Sequence, residues 1–164
     1  NVIDLFHGHY GDPMAEGLSK VKELAGDKIS KIVDCGTGTG FVTKQAAEYF
    51  PEAKIVAFDL LDEMLLQARN NCKQISSRVN HIKADTFALP IADSSVDLIL
   101  VQNTIPNFID FARICRSDGL IVFVDCSAGW IANIAQHLLK KQQIFKEVVG
   151  ERISLGFYIL AQNY

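Results

Sequence analysis

The sequence has no apolar run long enough to cross a bilayer. Its best candidate, LILVQNTIPNFI at 98–109, is too short and carries amides, where a span needs about 18 continuous apolar residues. Cysteine is sparse: Cys35, Cys72, Cys115 and Cys126 lie far apart, with no C-x-x-C pair and no histidine at ligand spacing. That excludes a small disulfide scaffold and offers no metal site, so the expectation is free thiols in a reducing cytoplasm and no metal. Charge of one sign is lacking too. Lys and Arg number 16 against 19 Asp and Glu, a formal net charge of −3, which argues against a chain whose main work is neutralising nucleic-acid phosphates. No internal repeat, no linker rich in Pro, Gly or Ser and no signal-peptide pattern is visible.

What is present is core-forming material. Of 164 residues, 49% are hydrophobic and 21% charged, the balance of one globular domain able to fill an interior. Short runs rich in β-branched residues fall at 31–35, 54–59, 79–84, 96–102 and 119–125. Several are apolar on both faces, as strands covered by helices on each side should be. Helical patterns sit between them at 41–50, 62–73 and, around Trp130, Ile134 and Leu138, at 130–141. Strand–helix alternation predicts an α/β fold with a doubly wound, mostly parallel sheet and right-handed crossovers. Two last strand-like runs, IFKEVV (144–149) and GFYILAQ (156–162), predict an antiparallel edge at the C-terminus. The expected organisation is a single domain over 1–164: an N-terminal helical cap at 1–28, a ligand-binding core at 29–125, and a C-terminal helix with edge strands at 126–164.

The most informative segment is KIVDCGTGTGF (31–41), in which a buried strand runs into Gly36, Gly38 and Gly40 and a helix follows. Glycines there permit a tight turn and close approach of a ligand to backbone N–H groups. In a dinucleotide fingerprint the third glycine falls five residues after the first; here it falls four after, and no Gly-Lys-Ser/Thr follows to make a P-loop. Three carboxylates flank the loop. Asp34 precedes it, Asp59 ends the second strand where a ribose diol would be accepted, and Asp85 ends the third, followed by Thr86 and Phe87. Two have a plain structural reading, Asp34 as a loop cap and Asp59 as a turn residue. Together, with no Arg or Lys aimed at the loop, they suit a ligand carrying positive charge and no phosphate. Asp97 reads as a packing residue and Asp62 as a helix N-cap.

These segments resemble class I S-adenosylmethionine-dependent methyltransferases of the small-molecule type, similar to the quinone-biosynthesis C-methyltransferases. VDCGTGTG (33–40), AFDLLDEML (57–65), ADTFALPIADSSVDLIL (84–100) and RICRSDGLIVFVD (113–125) follow the family's motifs in order. The resemblance implies a Rossmann-like, three-layer α-β-α fold and S-adenosylmethionine as cofactor, leaving as S-adenosylhomocysteine. It places Gly36 and Gly38 under the methionine part, with Asp34 and Cys35 at the loop's approach. Asp59 takes the ribose hydroxyls, Leu60 packs on adenine, Asp85 and Thr86 meet the adenine amine, and Gln102 lines the methionyl end through its backbone. Gly40 is assigned to helix–strand packing. Weak candidates for a general base are His7, His9 and Tyr10, since in relatives an N-terminal segment folds over the cofactor.

Departures from the family pattern bear on the acceptor. The chain between Asp97 and Gly119 is short, so the connecting helix near 107–114 must be brief, and no insertion after the fifth strand can form a substrate domain. A small-molecule acceptor is the expected partner, with no nucleic acid and no membrane span, and the open top leaves room for a homodimer. Two alternatives stay open: a non-catalytic module that binds the cofactor as a scaffold, and a nicotinamide-dependent oxidoreductase.

Overall fold

The computed structural model describes residues 12–124 and the strand segments 147–148 and 157–161. Helix α1 (Pro13–Ala25) starts where a proline fits the first helical position and the Asp12 carboxylate accepts from Ala15 N–H at 3.0 Å. Strand β1 (Lys31–Cys35), helix α2 (Phe41–Tyr49), strand β2 (Lys54–Asp59), helix α3 (Asp62–Asn71) and strand β3 (Val79–Lys83) follow. Strand β4 (Val96–Gln102), helix α4 (Phe108–Ile114), strand β5 (Cys115–Val124), and the strands β6 (Glu147–Val148) and β7 (Phe157–Ala161) complete the order.

The sheet runs β3-β2-β1-β4-β5-β7-β6. Strands β3, β2, β1, β4 and β5 are parallel neighbours, so the fold is Rossmann-like. Beyond β5, β7 pairs with it antiparallel, Val122 facing Ile159, and β6 pairs antiparallel with β7. Chain order reverses between β1 and β4, which opens a crevice at the carboxyl ends of these two strands.

Alternation along the strands builds two cores. Ile32, Leu98, Leu100 and Val122 face α1 and α2, burying Met14, Leu18, Val21, Val42 and Ala46. Val33, Ile99, Val101 and Phe123 face the other way onto Phe108, Phe111 and Ile114 of α4. Phe108 meets Phe111 and Phe123 edge-on, with centroids 6.1 Å apart in both pairs. Each such side chain contributes about 2 kcal/mol on burial. Within the expected cap, residues 13–25 form a helix whose Met14, Leu18 and Val21 are buried in the core. His7, His9 and Tyr10 lie outside the described residues, as do the 130–141 helical pattern and Cys126.

Three expectations need correction. The fifth strand starts earlier than the run at 119–125: β5 begins at Cys115, which pairs with Val96 before the register shifts between Val96 and Leu98. Asp62 is not the cap of α3, since Leu61 holds that position, and its carboxylate pairs instead with Lys83 at 2.5 Å. Gly40 serves helix–helix rather than helix–strand packing, because a Cβ there would lie 2.9 Å from Cys72 Sγ and 3.1 Å from Ala68 Cα of α3 and its end. Asp97 is a packing residue as expected. It is buried and accepts from Ser30 N–H, the Ser30 hydroxyl and Lys31 N–H at 2.9, 2.7 and 2.8 Å. Among the described residues no helix is long and apolar enough to cross a membrane.

Candidate functional site

The crevice is built by chain reversal at the end of β1. Gly36 turns out of the strand at φ +72°, where a Cβ would lie 2.7 Å from Thr104 Cβ. Only glycine lets the loop after β4 approach so closely. Thr37 then locks the turn: its N–H donates to the Phe58 carbonyl at 2.8 Å, and its carbonyl accepts from Gly40 N–H at 2.9 Å. The next amide, Gly38 N–H, donates to Asp59 Oδ2 at 2.8 Å, while Leu61 N–H donates to Oδ1 at 2.9 Å. Asp59 is therefore fixed at the end of β2 by one amide on each oxygen. A carboxylate has about four lone-pair sites, so each oxygen keeps acceptor capacity toward the crevice.

A cavity of about 330 Å³ opens beside this carboxylate. It is lined by Gly36, Phe58, Asp59, Leu60, Leu61, Ala84, Thr86 and Thr104. Among the described residues of this lining, Asp59 is the one charged side chain and none is Lys or Arg. The Thr86 hydroxyl donates to the Ile105 carbonyl at 3.4 Å, joining the loops after β3 and β4 across the opening. At the end of β4, Gln102 Oε1 is buried with no hydrogen-bond partner, and Asn103 follows at φ +53°, a conformation non-glycine residues seldom adopt.

The structure thus brings Gly36, Asp59, Leu60 and Thr86 together on one cavity and leaves the other expected residues off its wall. Gly38 contributes its N–H to Asp59 instead. Asp85 is exposed and accepts from Phe87 N–H at 3.0 Å in a local turn. Gln102 presents a buried side-chain oxygen without a hydrogen-bond partner. Cys35 and Asp34 are fully interior. The Cys35 thiol belongs to the core against α4, and burial holds it well above its ordinary range. Asp34 lies beneath the loop, its Oδ2 accepting the Thr43 hydroxyl at 2.6 Å, with the Thr37 hydroxyl 3.0 Å from that of Thr43. Burial pushes the Asp34 carboxyl up to about 6, against the pull of the Thr43 and Thr37 hydroxyls and with some help from the Asp59 charge. Sequence reasoning missed Thr43, Leu61 and Thr104. A threonine carries no signal of its own, and the Gly36–Thr104 approach is visible only once β1 and β4 are neighbours.

Comparison with known proteins bears on the family and the fold. Residues 32–117 match the family described as methyltransferase domain. The chain is similar to a malonyl-[acyl-carrier protein] O-methyltransferase of Gallionella capsiferriformans, 29% identical over 57% of this chain and 37% of that protein. It is also similar to a ubiquinone/menaquinone biosynthesis C-methyltransferase of Syntrophotalea carbinolica, 28% identical over 76% of this chain and 58% of that protein. The chain therefore spans between about a third and three fifths of these relatives' length. Among solved structures, a SAM-dependent methyltransferase from Aquifex aeolicus superposes with a TM-score of 0.67 at 20% identity, covering 88% of each chain.

Proposed function

The chain belongs to the methyltransferase domain family, and from that premise we propose that it binds S-adenosylmethionine in the crevice and directs its methyl group to a small-molecule acceptor. The observation that carries the reading is Asp59, held by Gly38 and Leu61 amides with spare lone pairs beside a cavity with no Lys or Arg in its described lining. A vicinal diol matches those lone pairs, and a sulfonium with an ammonium group matches the uncompensated negative charge. Leu60 and Leu61 give the apolar wall a flat base needs. The buried, unpartnered Gln102 Oε1 wants a donor. The residues present fit the cofactor.

Bound there, S-adenosylmethionine supplies an electrophilic methyl on a sulfonium whose positive charge disappears as the methyl leaves. The chain's part is alignment and exclusion of water. Asp59 would hold the ribose end and the Gly36 turn the methionyl end. In this reading residues 29–125 hold the cofactor and the C-terminal strands finish the sheet as its antiparallel edge. On the same reading the loop after β4, around Thr104, meets the acceptor. The relatives carry both C- and O-methyltransferase names, so the accepting atom follows from the acceptor rather than from the crevice. The reading keeps the protein in the cytoplasm.

Calorimetric titration with S-adenosylmethionine, S-adenosylhomocysteine and NADH, beside an Asp59→Ala variant, tests it. Binding of the first two, weakened at least about tenfold in the variant (about 1.4 kcal/mol), is expected. NADH binding without either would overturn it.

A further inference from the structure

Beneath the glycine loop lies a second carboxyl group that the cofactor reading does not use. Asp34 is 1% exposed. Facing it are the Thr43 hydroxyl and N–H from α2, the Thr37 hydroxyl from the loop, and the Asp59 carboxylate from the end of β2. The Cys35 and Cys72 thiols also feel its charge, and Lys44 reaches Cys72 rather than Asp34. Its register neighbours, Ala57 on β2 and Leu100 on β4, are apolar. No cation stands among these groups.

The hydroxyls make the site directional. Each carries one proton. With Asp34 ionised, Thr43 gives its proton to the carboxylate, so in the 3.0 Å contact between the hydroxyls Thr37 is the only donor available. All hydroxyl protons then point inward. A protonated Asp34 keeps an oxygen that accepts from Thr43, but it loses the charge that draws both hydroxyl protons inward. Thr37 passes that change to the loop, because its own N–H and carbonyl fix the turn through Phe58 and Gly40.

We propose that Asp34 is a positioning residue which, through Thr43 and Thr37, couples uptake of a cationic cofactor to release of a proton. The inference rests on the S-adenosylmethionine reading. A ligand with positive charge at the loop favours the ionised form of a carboxyl placed behind it, and the displaced proton passes to solvent.

The test is calorimetric titration of the full chain with S-adenosylmethionine at pH 5, 6 and 7, in buffers of different ionisation enthalpy. The ligand's amino group stays protonated over this range. Affinity about tenfold weaker at pH 5 than at pH 7 is expected from a carboxyl that titrates near 6 in the free protein. Heats should report proton release, and both effects should vanish in Asp34→Asn. Tight binding with the same affinity at pH 5 and 7 and buffer-independent heats would overturn the coupling while leaving the cofactor reading intact. Absence of binding at every pH would instead remove the cofactor reading itself. Should Asp34→Asn fail to fold, carbon-13 carboxyl resonances of the native chain decide. An Asp34 resonance whose midpoint falls on adding ligand supports the coupling, and one that does not move overturns it.

Discussion

Two buried carboxylates mark the two ends of the parallel sheet, and the chain treats them differently. At the amino end of β4, Asp97 receives three hydrogen bonds from Ser30 and Lys31 and an ion pair from Arg116 at 3.1 Å. Burial opposes its charge, yet the Ser30 and Lys31 bonds and the Arg116 guanidinium outweigh that cost and hold the carboxyl below its ordinary range. At the carboxyl end of β1, Asp34 is buried more deeply and receives no cation, only Thr43 and Thr37. Where nothing binds, the protein compensates its own buried charge. Where the crevice opens, charge is left for something outside the chain to complete.

The hardest test of that contrast is Asp97→Ala. It strands two part-buried amides and the guanidinium, and about 3 kcal/mol of stability should go, mostly from the hydrogen bonds, because half-exposed Arg116 is screened. A loss below about 1 kcal/mol in urea denaturation would break the comparison. Asp34→Asn should run the opposite way, gaining about 2 kcal/mol at pH 7 as the cost of an ionised buried carboxylate disappears. The pH profiles should differ in sign as well. Between the ordinary carboxyl value of 3.8 and about 6, folded Asp34 keeps a proton that the unfolded chain has lost, so its contribution is present at low pH and falls as pH rises through 6. For Asp97 the contribution is present above 3.8 and falls as pH drops through its lowered folded value. Urea midpoints measured from pH 3 to 8 should therefore rise and then decline, with the decline absent in Asp34→Asn.

Smaller effects sharpen the picture at the crevice. Gly36→Ala should cost about 1.5 kcal/mol from its left-handed backbone and its collision with Thr104. Thr104→Gly should relieve the collision while Thr104→Ala should not, because the nearest atom is Thr104 Cβ. Lys83→Ala removes an ion pair at the same end of the sheet, but both partners are exposed, at 56% and 71%. The shift in thermal stability should stay within about 0.5 kcal/mol, which separates exposure from location as the cause of the larger effects.

Legibility in the sequence followed the range of the forces involved. Strands β1, β2 and β4 were readable to the residue because an apolar run buried on both faces ends abruptly at its polar neighbours. The start of β5 was not, since Arg116, Ser117 and Asp118 look like a turn, and only pairing across to Val96 makes them strand. Asp59 and Gly36 were readable because strand, glycine spacing and carboxylate lie within one short stretch. Asp34 was found and its setting was not: Thr43 reaches it from the next helix. Cys35, read as part of the loop, is core because strand alternation turns it toward Phe108 and Phe123.

The contact between Gly36 and Thr104 has a further consequence. On the proposed reading, the turn that holds the cofactor and the loop that meets the acceptor are in direct contact, Gly36 against Thr104. A substitution at position 104 that reshapes acceptor selectivity also presses on, or releases, the turn after β1. The two specificities cannot drift separately, and a redesign that wants a new acceptor must vary positions 36 and 104 as one pair.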